Sequence, residues 1–362
     1  MYLAGGSVIK TPQSGSDGRL VMDSVKALLV IIGCCALLAC NKRTDTPFAQ
    51  DWQRYAATFY SEGRIIDTGN DNVSHSEGQG YAMLFAAAAG DKVRFDELWQ
   101  WTQQTLQRAD GLFSWRYRPC PQQNAACVDD PNNASDGDIL IAWALLRASK
   151  VWDSPTYKQQ AMTILSVIEN KLIVERQGRT LLLPAEQGFV DNNAIQLNLS
   201  YWIFPAFADF YEVTEAPVWQ QLNESGMALL AQVAERSPGL PGDWMWLKQG
   251  ELSVAGAVNT VYGFNACRIP LHLVWQDPSR TALLAPYKTF WQTQQVVPAT
   301  LNLATGDEAD YRWTNGMRAI SEVVNYRSGD TSDKPQLNLD DDEDYFSSSL
   351  IMLSHLSLQD NR

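Results

Sequence analysis

From Ala134 to Leu146 the chain reads Ala-Ser-Asp-Gly-Asp-Ile-Leu-Ile-Ala-Trp-Ala-Leu-Leu, apolar on every side once its first five residues are passed. A helix without a polar face must be buried all round. Its two acids, Asp136 and Asp138, therefore stand at the inner end of a core, where a charge is costly unless it has a partner or a task. An upstream segment, Ser76-Glu77-Gly78-Gln79-Gly80-Tyr81-Ala82-Met83-Leu84-Phe85-Ala86, repeats the design with Glu77 at its head.

Such helices need a second layer to cover them, and the chain supplies one. Phe48, Trp52, Tyr55 and Phe59 recur at helical spacing, as do Phe95, Leu98, Trp99, Thr102 and Leu106. After Ser154-Pro155, a good helix start, Tyr157, Ala161, Ile164, Leu165, Ile168 and Leu172 form another stripe. These segments have one wet face, whereas 79–89 and 138–148 have none. Alternation of the two kinds predicts two concentric helical layers, with about eleven helical segments in all. Strand signals are few, the best at 180–183 and 301–303. No linker rich in proline or glycine divides 47–358, which reads as one domain. The last helix is expected near Tyr345, behind an acidic run that suits a helix N-terminus.

The N-terminal region carries a different message. Met22-Asp23-Ser24-Val25-Lys26 precedes an apolar run, 27–39, too short to span a bilayer. It ends Leu37-Leu38-Ala39-Cys40-Asn41, which resembles a bacterial lipoprotein signal. The expectation is a signal peptide over 1–39, with Met22 as an alternative start, and a tether over 40–46 lipidated at Cys40. That places the protein outside the cytoplasm, as an outer-membrane lipoprotein facing the periplasm or the cell surface, touching the membrane through its anchor alone. In an oxidising compartment Cys120 and Cys127, which flank a polar loop, pair as a local disulfide and leave Cys267 odd. With no CxxC pair and three histidines (His75, His272, His355), no metal is expected.

The 362 residues carry a net charge of −13. Residues 1–39 hold three basic and two acidic groups, so the remainder stands at −14. This repels nucleic acid and anionic lipid. A neutral polysaccharide is compatible with it, and thirteen tryptophans and thirteen tyrosines offer flat rings for sugar faces or for the core. Two acid-headed buried helices suggest carboxylates facing one cleft, the layout that cleaves glycosidic bonds. A monomer is expected.

Here the chain resembles glycoside hydrolase family 8. The resemblance lies in Ala134-Ser135-Asp136-Gly137-Asp138 with Ile141-Ala142, and in Ser76-Glu77-Gly78-Gln79-Gly80-Tyr81. It continues through Gly63-Arg64-Ile65-Ile66-Asp67, Asp110-Gly111-Leu112-Phe113-Ser114-Trp115, Leu199-Ser200-Tyr201, Gly242-Asp243-Trp244 and Gly263-Phe264-Asn265-Ala266-Cys267-Arg268. It implies an all-α (α/α)6 barrel and cofactor-free endo-hydrolysis of a β-1,4-glycan with inversion. It also implies Glu77 as general acid, Asp136 on the sugar before the cut, and Arg268 orienting position 265. Tyr81, Trp115, Tyr201 and Trp244 become candidate substrate contacts.

Other readings of these residues stay open. Glu77 also fits a first helical turn, with Ser76 and Gln79 spaced as a capping box. Asp136 or Ser135 also fits an N-cap. The pattern departs from the family at Asn265, where an aspartate is expected as the base that activates water. An amide orients a water and takes no proton from it. Either the base is elsewhere, with Asp243, Asp191 and Asp136 as candidates, or the chain is a polysaccharide-binding lipoprotein of weak or no activity, or an inactivated variant.

Overall fold

The computed structural model describes residues 46–120, 127–191, 193–254 and 260–360. The signal region 1–39, Cys40 and the tether as far as Asp45 lie outside the described residues. Contacts cluster within Pro47–Arg362, separately from Met1–Thr46.

Among the described residues there are eleven α-helices: α1 (Pro47–Phe59), α2 (Ser76–Ala89), α3 (Lys92–Thr105), α4 (Ser135–Val151), α5 (Pro155–Lys171), α6 (Phe204–Thr214), α7 (Val218–Ala234), α8 (Ile269–Gln276), α9 (Thr281–Thr293), α10 (Asn315–Arg327) and α11 (Tyr345–Gln359). The expected layering follows from which helices touch. The helices α2, α4, α6, α8, α10 and α11 contact one another in a closed ring, α11 returning to α2. Around it stand α3, α5, α7 and α9, each between two inner helices in the chain, and α1, which precedes α2 and packs on α2 and α11. This is an (α/α)6 barrel with one outer position filled differently. Residues 328–344, which are irregular, take it. They bury Leu337 and Leu339, and the Leu339 carbonyl accepts a hydrogen bond from Arg54 of α1 at 3.2 Å.

The inner helices are apolar because they are walled in. In α4 every residue from Ser135 to Leu146 is buried. In α3 the buried face is Phe95, Leu98, Trp99 and Thr102, the predicted stripe. Ser154 caps α5 and Asp344 caps α11 through their side chains.

At two positions the tightness of the ring requires glycine. A Cβ on Gly80 of α2 would lie 2.5 Å from Leu140 Cβ of α4, and one on Gly137 would lie 2.0 Å from Ser76 Oγ. The first turns of the two helices therefore touch backbone to side chain, with no room between them. Gly80→Ala is expected to lower stability by about 1–3 kcal/mol, the usual cost of overpacking. A denaturant midpoint equal to wild type would show that the crossing yields freely.

Two expected caps are corrected. His75, not Ser76, caps α2: its Nδ1 accepts from Gly78 N–H at 3.1 Å. Gln79 instead reaches across to Ile65 N–H, the Gly63 carbonyl and Thr102, because it is buried and its amide must find partners there. Helix α4 begins after Ala134 without a side-chain cap. Asp136 sits inside the first turn and accepts from Gly137 N–H at 2.8 Å.

The strands predicted at 180–183 and 301–303 are present as 179–182 and 301–302, each paired in a small hairpin or ribbon. The sequence reading missed a four-stranded antiparallel sheet, in the order 251–254, 245–248, 194–197 and 190–191. Met245 lies opposite Leu197 and Lys248 opposite Ala194. One end of this sheet thus delivers Asn198, Ser200 and Tyr201 from one strand and Asp243 and Trp244 from another. Cys120 and Cys127 are bonded to each other, and Cys267 is free and buried.

Candidate active site

The glycine crossing of α2 and α4 brings Glu77 and the Asp136 segment to one mouth of the barrel. Glu77 keeps 22% of its side chain exposed, whereas Asp136 is buried. Tyr81, one turn below Glu77, donates its hydroxyl to Glu77 Oε1 at 3.1 Å.

Arg268 ties the site together from the short helical turn before α8. Its Nη1 pairs with Glu77 and donates to Tyr81 Oη at 3.0 Å. Its Nη2 donates to Asn265 Oδ1 at 2.8 Å and to Ser200 Oγ at 3.2 Å. Ser200 is fixed in turn by Asn198 Oδ1 at 2.6 Å. Burial draws the guanidinium down to about 10, so it stays charged at neutral pH. Glu77 and Asn265, 188 positions apart in the chain, thus hang on one guanidinium.

Behind Asn265 lies Asp243. Its Oδ1 accepts three backbone N–H groups, from Ala266 at 2.8 Å, Gly263 at 3.1 Å and Asn265 at 3.2 Å. Burial raises its carboxyl above the ordinary range, and these bonds together with the Asn265 side chain oppose the rise. Burial also pushes Asp136 up to about 7, against the Gly137 N–H that favours its charge. Asp138 is likewise pushed up to about 7 by burial, while Asn133 and the Phe113 N–H pull the other way. Asn133 Nδ2 and Phe113 N–H bind Asp138 at 2.7 and 2.9 Å, so this acid is a fastener between α4 and its neighbouring strands.

Next to these acids runs a cleft of about 290 Å3 lined by Trp115, Asn132, Ala134, Phe189, Tyr201 and Trp244, among others. Three of the predicted aromatic contacts therefore meet in one cavity. Trp115 donates its ring N–H to Asp130 at 2.8 Å and carries the Arg116 guanidinium 4.5 Å from its ring centre. Phe189, which the sequence reading missed, lies parallel to Trp244, with centroids 5.4 Å apart and planes 10° apart. No local pattern marks Phe189. Its partner is 55 residues away, joined to it through the sheet. A second aromatic pair, Phe264 and Phe346, meets edge to face at 5.2 Å beside Asn265, and Phe264 is 40% exposed.

Asp191 stands apart from these residues. It is exposed on the strand 190–191, at the opposite end of the sheet from Asn198. His75 also enters the site region: its ring caps α2 and contacts Asp67 at 3.5 Å through Nε2.

The comparisons with known proteins agree with this geometry. The family model described as glycosyl hydrolases family 8 matches residues 23–360. An endoglucanase of Cellulomonas uda is 43% identical over 278 residues, which is 75% of this chain and 76% of that protein. A probable endoglucanase of Novacetimonas hansenii is 36% identical over 315 residues, 85% of this chain and 90% of the relative. Among solved structures, the family 8 endoglucanase of Klebsiella pneumoniae superposes with a TM-score of 0.79 at 43% identity, covering 86% of this chain and 100% of that one. A family 8 endo-β-1,4-glucanase from an Achatina fulica gut metagenomic library gives a TM-score of 0.79 at 40% identity, over 86% of this chain and 98% of the other. With the acid pair at the barrel mouth, the aromatic cleft and matches over this length, the chain belongs to glycosyl hydrolases family 8.

Proposed function

We propose that the protein is an inverting endo-β-1,4-glucanase acting on a neutral β-1,4-linked polysaccharide, cellulose or an exopolysaccharide of that kind. The observation that carries this reading is Glu77, a carboxyl at the mouth of the barrel, held by Tyr81 and Arg268 beside an aromatic cleft. The endoglucanase names of its relatives support the substrate class. Rings at Trp244 in the cleft and at Phe264 next to Asn265 suit a sugar chain held along its length.

In this mechanism Glu77 gives its proton to the oxygen bridging two sugars as the bond to the anomeric carbon breaks. A water attacks that carbon from the opposite face and loses its proton to a base. A guanidinium favours the charged form of a neighbouring carboxyl. Arg268 holds Glu77 and Asn265 together at the mouth of the barrel. Asp136 takes the role of holding the sugar before the cut.

Asp243 is the base in this reading. It is the carboxylate bonded to position 265, and burial raises its carboxyl above the ordinary range, in the direction that suits a proton acceptor. Asp191 is too remote, and Asn265 contributes an oxygen that orients the water. The alternative of a binder that has lost its base has less support, since the relatives are named endoglucanases and Asp243 stands bonded to position 265. The same reading includes export, a lipid anchor at Cys40, a monomeric state and no nucleic-acid partner, in keeping with the charge of −13.

Two measurements test it. Proton NMR of a fresh digest of a soluble β-1,4-glucan is expected to show the α-anomer first; the β-anomer first would rule out inversion. Asp243→Asn is expected to cut kcat by about 10²–10³-fold, within the usual range for a general base, and to remove the acidic limb of its pH profile. Asn265→Asp is expected to change kcat by less than about tenfold. A large gain in that variant, with Asp243→Asn still active, would return the base to position 265.

A further inference from the structure

At the end of the sheet away from Glu77 three hairpin tips meet. Two have the same build. Gln177-Gly178 and Gln249-Gly250 all have positive φ, at 54°, 72°, 52° and 84°. That is the two-residue turn whose twist matches the flanking strands, and its second place favours glycine. The tips are laced together, because Gly250 N–H donates to Gln177 Oε1. The third tip joins strands 190–191 and 194–197. Between them lies an open cavity of about 550 Å3 lined by Arg176, Gln177, Val190, Asp191, Asn193 and Gln249, among others.

Two features of this lining say what it would hold. Its one cation, Arg176, and its one anion, Asp191, cancel, so the cavity has no charge with which to select an ion. The rest of its polar surface is carboxamide, from Gln177, Gln249 and Asn193. Each carboxamide offers both donors and an acceptor. A hydroxyl also donates and accepts, so a neutral, hydroxyl-rich chain matches such a surface.

Its position connects it to the cleft. Val190, 52% exposed in the cavity, directly follows Phe189, which stacks on Trp244 in the cleft. Gln249 follows the strand that begins just after Trp244. From Trp244 to Lys248 is about 13 Å at the rise of a β-strand, the length of a few sugar rings.

We propose that this cavity is a distal subsite that holds the β-1,4-glucan several sugars away from the cut, so that long chains bind better than short ones. This rests on the glucanase reading and adds to it a device for selecting chain length. The sheet acts as a ruler between the two places: one end carries Ser200 and Trp244, the other the three tips.

The test is the double variant Arg176→Ala/Gln249→Ala in the full chain. With cellotetraose, which leaves at most three sugars on one side of the cut, kcat/KM is expected to stay within about twofold of wild type, because surface substitutions away from the reacting groups change little. With a long soluble β-glucan, KM is expected to rise about five- to tenfold at unchanged kcat, the signature of lost ground-state binding. Equal effects on both substrates, or none on either, would overturn the distal subsite. Retention of Glu77→Gln protein on amorphous cellulose, with and without the two tip substitutions, gives a readout that needs no hydrolysis. A wild type that cuts glucan while tip variants bind as tightly defeats the subsite alone. A wild type that neither cuts nor binds glucan defeats the glucanase reading, and the subsite with it.

Discussion

Glu77→Gln is expected to reduce kcat on a soluble β-1,4-glucan by about 10²–10⁴-fold, the usual contribution of a positioned proton donor. KM is expected to remain near the wild-type value. The reason lies in the contacts. Glutamine keeps an oxygen that accepts from Tyr81 and from Arg268, so the bridge to Asn265 and Ser200 survives. What disappears is the proton. An aryl β-cellobioside whose leaving group departs as a stable anion needs no such proton, and on it the variant should lose far less. Measuring both substrates separates proton donation from damage to the site: a structural defect would depress the two rates alike. Equal rates for wild type and variant on the polysaccharide would remove Glu77 from the chemistry.

Asp136→Asn is expected to separate stability from activity. Burial pushes the Asp136 carboxyl up to about 7, well above the value near 3.9 of an exposed aspartate. A group shifted in this direction stabilises the fold when protonated, and the benefit fades as pH rises from about 4 through about 7. Above that range the folded protein carries a buried charge that the unfolded chain would hold in water. Asparagine has no proton to lose, and its oxygen still accepts from Gly137 N–H. The variant should therefore be more stable than wild type at pH 8, by about 4 kcal/mol at most, and the difference should fade towards pH 4. Thermal melts across pH 4–8 check this. Activity should fall by about 10²-fold or more, because the amide cannot hold the sugar hydroxyls as a carboxylate does. A stability difference that is flat with pH would mean that Asp136 is ionised at no cost where it sits.

Much of this was legible in the chain. Helices without a wet face announced their own burial, and the stripes of α3 and α5 announced the outer layer. The acids at 77 and 136 stood out because they interrupt apolar runs, and the family resemblance named them. Other parts had no local sign. His75 caps α2 in place of Ser76 because Ser76 is pressed against Gly137, a contact across 61 positions. The triple backbone hold on Asp243 arises from residues 20 to 23 positions later, and Phe189 earns its place only through a strand pairing. The sixth outer position was also unreadable, since residues 328–344 pack without forming a helix.

The glycine crossing of α2 and α4 divides the molecule into a part that evolution can alter and a part that it cannot. With main chain against side chain at Gly80 and Gly137, the spacing of Glu77 from Asp136 is set by two rods in direct contact, and no exchange of bulk nearby can stretch or shorten it. Variation in what the enzyme accepts is thereby left to the rim, where hairpins and rings can be traded without disturbing the spacing of the two carboxyls.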